Sequence, residues 1–303
     1  MIRGALWALA GLVAPAMAAE PPLAVVTTTT DLKVLVEAVG GERVAVSSIV
    51  PPTVDAETYE PRPRDLERLR GARLVARIGL DYDIWLDRLL AQSGNRDVGF
   101  GGPGYVDAST GIALLEVRPM ALGPQAGHAH GVGNPHYWLD PANGEIITGS
   151  IIEGLERVDP AGSPIYRANR AAFLQTLAQR IESWRDRLAP LSGRAVLAYH
   201  NTWPYFARRM RLNIADVIEP RPGIPPSPSR LGDLIRRIRS ESISVLIKTP
   251  FEPDQVPRML ADRTGARVVV LAPSVGTLPG AVDYLSLFDV NVDALAHAMG
   301  SPP

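Results

Sequence analysis

The chain has 303 residues, 46% hydrophobic and 21% charged, with a formal net charge of -1 and no cysteine. That length fits about two domains with ample apolar material for a core, and the even charge balance excludes an electrostatic case for nucleic acid. The absence of thiols excludes disulfides and thiolate ligation, so any metal must be held by nitrogen and oxygen.

The chain opens with the pattern of a targeting segment. Arg3 supplies a positive start, Ala5 to Val13 an apolar stretch, and Ala16-Met17-Ala18 a small-x-small cleavage site. Residues 1–18 are therefore expected to be removed, leaving Ala19 as the first mature residue. The apolar stretch is too short to span a bilayer comfortably. With no cysteine to carry a lipid, the expected compartment is a periplasm.

Leu23 to Thr29 is a β-branched run that reads as a buried strand. Asp31 is expected to cap a helix through Val39, which Gly40-Gly41 ends. Val44 to Val50 reads as a strand broken by Pro51-Pro52, Pro63 to Leu69 as a helix, Arg73 to Ile78 as a strand and Tyr82 to Gln92 as a helix. Such alternation predicts a parallel α/β sheet. Gly101 to Gly133 is glycine-rich and irregular, with one strand expected near Ile112 to Val117; long loops of this kind tend to be functional. Helices are expected over Asn143 to Asp159 and Tyr166 to Leu191. The second is long, with Phe173, Leu177, Ile181 and Leu188 at helical spacing, and suits a connector between two lobes.

A second α/β unit starts at Arg194. Its strands are expected at Ala195 to Tyr199, Asn213 to Ile218, Ser244 to Lys248 and Arg267 to Leu271. Its helices are expected around Phe206, from a Ser229 cap through Arg239, over Gln255 to Thr264 and over Asp283 to Ala298. The two halves share one strand–helix grammar.

Chemistry concentrates in Asn134-Pro135-His136-Tyr137-Trp138-Leu139-Asp140-Pro141, where two prolines stiffen the backbone around an imidazole. Just upstream is Gly127-His128-Ala129-His130-Gly131, so three of the five histidines fall within nine positions. Ligands of open α/β sheets bind beyond the carboxyl ends of the strands. Asp55, Glu57, Tyr59 and Glu60 follow the second strand, and His200 stands at the end of a strand in the second half. Glu57, His136 and His200 together form a nitrogen/oxygen donor set for zinc, manganese or iron(II). Glu60 reads instead as a loop-fixing carboxylate, Asp140 as a helix cap and His297 as a surface or packing residue.

These residues resemble the zinc- and manganese-binding solute receptors of bacterial ABC importers, the cluster A-I family. The resemblance runs through Val50-Pro51-Pro52 and Asp55 to Pro61, Asn134 to Pro141, Tyr199-His200 before Tyr205 to Arg209, and Asp283 to Leu287 with Asn291. It implies two α/β lobes, each a parallel sheet flanked by helices, joined by one long rigid helix with metal in the cleft. The implied boundaries are 19–160, 161–192 and 193–303. Also implied are an inner-membrane ABC permease as partner, a monomeric receptor, and no enzymatic activity.

Two positions depart from the family pattern. Glu57 stands where the first ligand is usually histidine, and Ala272 stands where an aspartate usually follows the last strand. The expected site is Glu57, His136 and His200, with the fourth position filled by water or by His128, His130, Glu219, Glu252 or Asp283. Water or a loop histidine is preferred, and zinc is preferred over manganese or iron. The competing readings are a metallochaperone or a receptor for chelated metal such as a siderophore complex, and a zinc hydrolase. Affinity is expected to fall as pH drops through about 6.5, the unperturbed histidine value.

Overall fold

The computed structural model describes residues 21–117, 133–219 and 224–300. The targeting segment and the His128 and His130 pair lie outside them. The first lobe holds strands β1 (Leu23–Thr27), β2 (Val44–Ser48), β3 (Leu74–Arg77) and β4 (Tyr105–Asp107), in the order β2-β1-β3-β4. The second holds β5 (Ala195–Ala198), β6 (Asn213–Val217), β7 (Val245–Lys248) and β8 (Arg267–Val270), in the order β6-β5-β7-β8. Every pairing is parallel, so the loops that follow the strands open at one end of each sheet. The two-lobe α/β architecture expected from the sequence is thereby found.

Helices α1 (Thr30–Gly40), α2 (Pro63–Arg70), α3 (Trp85–Ser93) and α4 (Asn143–Val158) belong to the first lobe, and α6 (Pro204–Met210), α7 (Pro228–Ser240), α8 (Gln255–Thr264) and α9 (Tyr284–Ala298) to the second. Between them runs α5 (Ser163–Leu188), 26 residues and so about 39 Å long. It packs against α1 and α4 on one side and α6 and α9 on the other, burying Tyr166, Leu177, Trp184 and Leu188. One core cluster spans both lobes, from Val25 and Leu35 to Leu271 and Phe288. Polar bonds also cross between them: Trp138 Nε1 donates to Pro273 O at 2.9 Å, Tyr284 Oη to Trp138 O at 2.7 Å, and Tyr205 Oη to Asn134 O at 2.9 Å. Among the described residues no helix is long and apolar enough to cross a membrane.

Several local expectations are corrected. Thr29, not Asp31, caps α1, its hydroxyl accepting from Leu32 N. Asp31 lies one residue inside the helix, buried, and accepts from Val275 N at 2.9 Å and from the Ser274 hydroxyl of the second lobe. Ser227, not Ser229, caps α7, because Pro228 already occupies the first helical position. No strand forms over residues 112–117. The segment leaves the sheet for the second lobe, where Leu115 N donates to Tyr205 Oη at 3.0 Å. The fourth strand is instead Tyr105–Asp107, paired with β3 from Val75↔Tyr105 to Arg77↔Asp107.

Helix α3 begins at Trp85 rather than Tyr82 because Gly79, Leu80 and Asp81 all adopt positive φ, at 78°, 53° and 63°. Two of them carry a Cβ, so the turn is strained. Asp83 pins it by accepting from Ile78 N at 2.7 Å, Gly79 N at 3.1 Å and Arg77 Nε at 3.0 Å. The result is to project Tyr82 toward the cleft.

Close packing of α4 on the first sheet depends on Gly154. A Cβ there would sit 2.3 Å from Val106 Cγ2 and 3.1 Å from Leu74 Cδ1, both on strands. Gly154→Ala is therefore expected to lower stability by about 1–2 kcal/mol, the overpacking cost exceeding the gain in helix propensity. Denaturant titration of the metal-free protein checks this.

Candidate metal centre

The strand ends of both lobes face one cleft of about 220 Å³. The β2 loop contributes Asp55 and Glu57, the β3 turn Tyr82, and the Asn134–Pro141 segment His136. From the second lobe come His200 after β5, Glu219 after β6, Glu252 after β7, and Pro273 and Ser274 after β8. Because β5 lies between β6 and β7, His200 emerges between the loops that carry Glu219 and Glu252.

Each imidazole is held from behind. His136 is 4% exposed, and Asn134 sets its orientation. Asn134 Oδ1 accepts from His136 N at 3.0 Å and from the ring Nδ1 at 3.1 Å, while its Nδ2 donates to Asn201 O at 2.9 Å and Glu116 Oε2 at 3.1 Å. These amide bonds fix which end of Asn134 is oxygen, so Nδ1 carries the proton and Nε2 is the donor atom toward the cleft. Nε2 stands 3.1 Å from Glu57 Oε1. Tyr82 and Trp138 brace the ring, with centroids 5.6 and 5.3 Å away. Across the cleft His200 has its ring centroid 6.2 Å from that of His136, and its Nδ1 lies 3.3 Å from Glu219 Oε2. Glu57 rides on a short 3-10 turn, Ala56–Thr58, started by Asp55, whose Oδ1 accepts from Glu57 N at 3.0 Å.

Burial sets the electrostatics. Desolvation holds His136 neutral, its pKa lowered to about 4. His200 is also lowered, first by burial and then by the neighbouring His136. Carboxylates move the other way. Burial and then Glu57 raise Asp55, and burial raises Glu252 to about 8 although Thr249 N donates to its Oε2 at 2.6 Å. Both imidazoles are thus ready to donate lone pairs at neutral pH.

Of the residues expected at the site, Glu57, His136, His200, Glu219 and Glu252 all line the cleft. Asp283 does not: it is exposed and caps α9, its Oδ1 accepting from Ser286 N at 2.7 Å. Asp140 does not cap α4, whose N-cap is Ala142 with no side-chain bond; it is buried and pairs with Arg209 Nε at 2.6 Å and Arg208 Nη2 at 3.3 Å. Ala272 is clamped by Asn291, which accepts from Ala272 N at 2.7 Å and donates to Ala272 O at 2.8 Å, and its methyl group offers no ligand. Among the described residues no three histidine or carboxylate side chains already stand gathered as a metal cluster. The cleft instead presents two pairs, His136 with Glu57 and His200 with Glu219, which a cation would draw together. Asn134 and Tyr82 were not singled out from sequence. An asparagine two residues before a histidine is a readable signal for the first, since asparagine side chains bond the backbone two residues on.

The chain matches known proteins over most of its length. The family model described as "ZnuA: Zinc-uptake complex component A periplasmic" matches residues 25–298. The iron-binding protein YfeA of Yersinia pestis is 26% identical over 284 residues, covering 91% of this chain and 86% of YfeA. The metal ABC transporter substrate-binding lipoprotein SloC of Streptococcus mutans is 22% identical over 290 residues, covering 93% and 91%. A crystal structure of a ZnuA deletion mutant with zinc bound superposes with a TM-score of 0.78 at 28% identity, covering 93% of this chain and all of that one. A family match across both sheets and the helix between them, on a chain whose strand ends converge on two imidazoles and a carboxylate, places this protein in the ZnuA family of periplasmic zinc-uptake components.

Proposed function

We propose that the protein is a periplasmic receptor that captures a divalent transition metal between its lobes through Glu57, His136 and His200 and delivers it to an ABC permease. The observation that carries this reading is the meeting of a buried imidazole from the first lobe with a largely enclosed one from the second across the cleft, 6.2 Å between ring centroids, with Glu57 at 3.1 Å from the first. Two neutral imidazoles and one carboxylate are a zinc-type donor set, so zinc is the preferred cargo over manganese or iron. Water, or His128 or His130, completes the coordination in place of Ala272, with Glu252 as the alternative. Carboxylates on the walls, Asp55, Glu57 and Glu219, favour a bare or hydrated cation and oppose an anionic chelate, while Glu252, raised to about 8, is protonated at neutral pH. The reading assigns no reaction to the protein, in keeping with a family named for uptake. On the same reading the mature chain starts at Ala19 and acts as a monomer, and residues 161–192, which contain α5, connect lobes at 19–160 and 193–303. Calorimetric titration of metal-stripped protein with zinc, manganese and iron(II) tests the proposal; absence of binding by all three refutes it.

Burial changes the expected pH dependence. The fall near pH 6.5 expected from unperturbed histidine gives way to a lower window, because both imidazoles are depressed and His136 holds no proton until about pH 4. The decline in zinc affinity should set in below pH 6.5 and become steep only as pH falls below about 4, where His136 takes up a proton. Competition with a chelator of known affinity measures this. A decline that begins near pH 8 would make Glu252 the ligand in competition with protons, since it must shed one to coordinate.

A further inference from the structure

We infer that Glu219 is a positioning residue for His200: its carboxylate accepts the Nδ1 proton and thereby makes Nε2 the nitrogen offered to the cleft. This rests on reading the cleft as the metal site. Three observations support it. First, Glu219 Oε2 lies 3.3 Å from His200 Nδ1, and both side chains are largely enclosed, 13% and 14% exposed.

Second, the contact is built into the sheet rather than left to a loop. Strand β6 pairs in parallel with β5, and the ladder continues past both strand ends, with Ile218 N donating to Ala198 O and Glu219 N to Tyr199 O, each at 2.8 Å. The backbone of Glu219 is therefore tied to the residue immediately before His200. Third, the other arm of the cleft uses the same device in neutral form: Asn134 Oδ1 accepts from His136 Nδ1 at 3.1 Å.

A neutral imidazole carries one N–H, and an acceptor fixed at Nδ1 selects which nitrogen keeps it. An outer carboxylate also stops the ring rotating and strengthens it as a donor. In this chain it does one thing more. Ala272 supplies no charge after β8, and Glu219 returns a negative charge to the second lobe from the opposite side of the sheet, one step behind the imidazole. The ordinary alternative, Glu219 as a direct ligand, gives a different outcome in the same experiment.

The test compares wild type, Glu219→Gln and Glu219→Leu. Long-range proton–nitrogen correlation spectra of the metal-free, nitrogen-15-labelled proteins at pH 7 report the His200 tautomer, with its signals assigned by their loss in His200→Gln. The Nδ1–H form is expected in wild type and in Glu219→Gln, which keeps an acceptor oxygen, and the Nε2–H form in Glu219→Leu. Zinc affinity should fall about 10- to 100-fold in Glu219→Leu and less in Glu219→Gln, and the visible bands of the cobalt-loaded proteins should keep their positions in all three. An Nε2–H His200 in wild type, or unchanged zinc affinity in Glu219→Leu, overturns the assignment. Cobalt bands that shift in Glu219→Gln make Glu219 a ligand and overturn it as well. If wild type shows the Nδ1–H tautomer but binds neither zinc nor cobalt, the receptor reading fails while the orientation of His200 by Glu219 stands.

Discussion

In His136→Ala, zinc affinity is expected to fall about 100- to 1,000-fold, the largest effect of any single change in the cleft. Zinc sites in proteins are worth roughly 10–16 kcal/mol, which over four ligand positions is about 2.5–4 kcal/mol each. His136 should stand at the upper end of that range because its cost is already met in the fold. The ring is buried, kept neutral, aimed by Asn134 and braced by Tyr82 and Trp138, so metal binding need not order or deprotonate it. His136→Asn, which fills part of the space without reaching the ion, should lose nearly as much. Chelator competition gives the affinities, and the rise in melting temperature on adding zinc should vanish in both variants. Retention of wild-type affinity by either would remove His136 from the site.

Asp140→Ala is expected to destabilise the metal-free protein by about 2–3 kcal/mol. Asp140 is fully buried and takes two bonds from Arg209, at 2.6 and 3.0 Å, one from Arg208 at 3.3 Å and one from Ala142 N at 3.0 Å. Removing one member of a buried pair costs about 3–5 kcal/mol. Here both arginines keep partial access to water, 45% and 32%, which lowers the figure. The pair ties the His136 segment to α6, the helix that follows His200, so zinc affinity should fall as well, though less than in His136→Ala. Urea unfolding with and without zinc separates the two losses. Arg209→Lys, which cannot reproduce the two-bond geometry, should retain only part of the wild-type stability.

The fold was legible where the pattern was long. Strands β1, β5 and β7 are largely runs of β-branched or apolar residues, and α5 shows its helical spacing from Phe173 to Leu188. Strand β4 has three residues behind a glycine-rich turn, too few to show a period of two. Caps failed for a different reason: Thr27 to Thr30 and Ser227 to Ser229 offer several hydroxyls of equal chemistry, and only the backbone path decides among them. At the site, His136 and His200 could be paired from sequence because each follows a strand or closes a lobe. The roles of Asn134 and Glu219 at the ring nitrogens could not, since the second depends on β6 lying beside β5. Nor could the depressed histidine values, which come from enclosure and not from neighbours in the chain.

One consequence of the shared core concerns how long the cargo stays. With Val25 and Phe288 in one cluster, and Trp138 and Tyr284 bonded across the lobes behind the cleft, swinging the lobes apart would expose the centre of the protein. A more local exit is the wall formed by residues 51–59, where Glu57 sits on one short turn anchored by Trp85 Nε1 donating to Ala56 O at 3.0 Å and by Tyr59 Oη donating to Asp65 at 2.7 Å. Residence time then becomes a local clock, set by how often that one loop pulls Ala56 and Tyr59 out of the shared core.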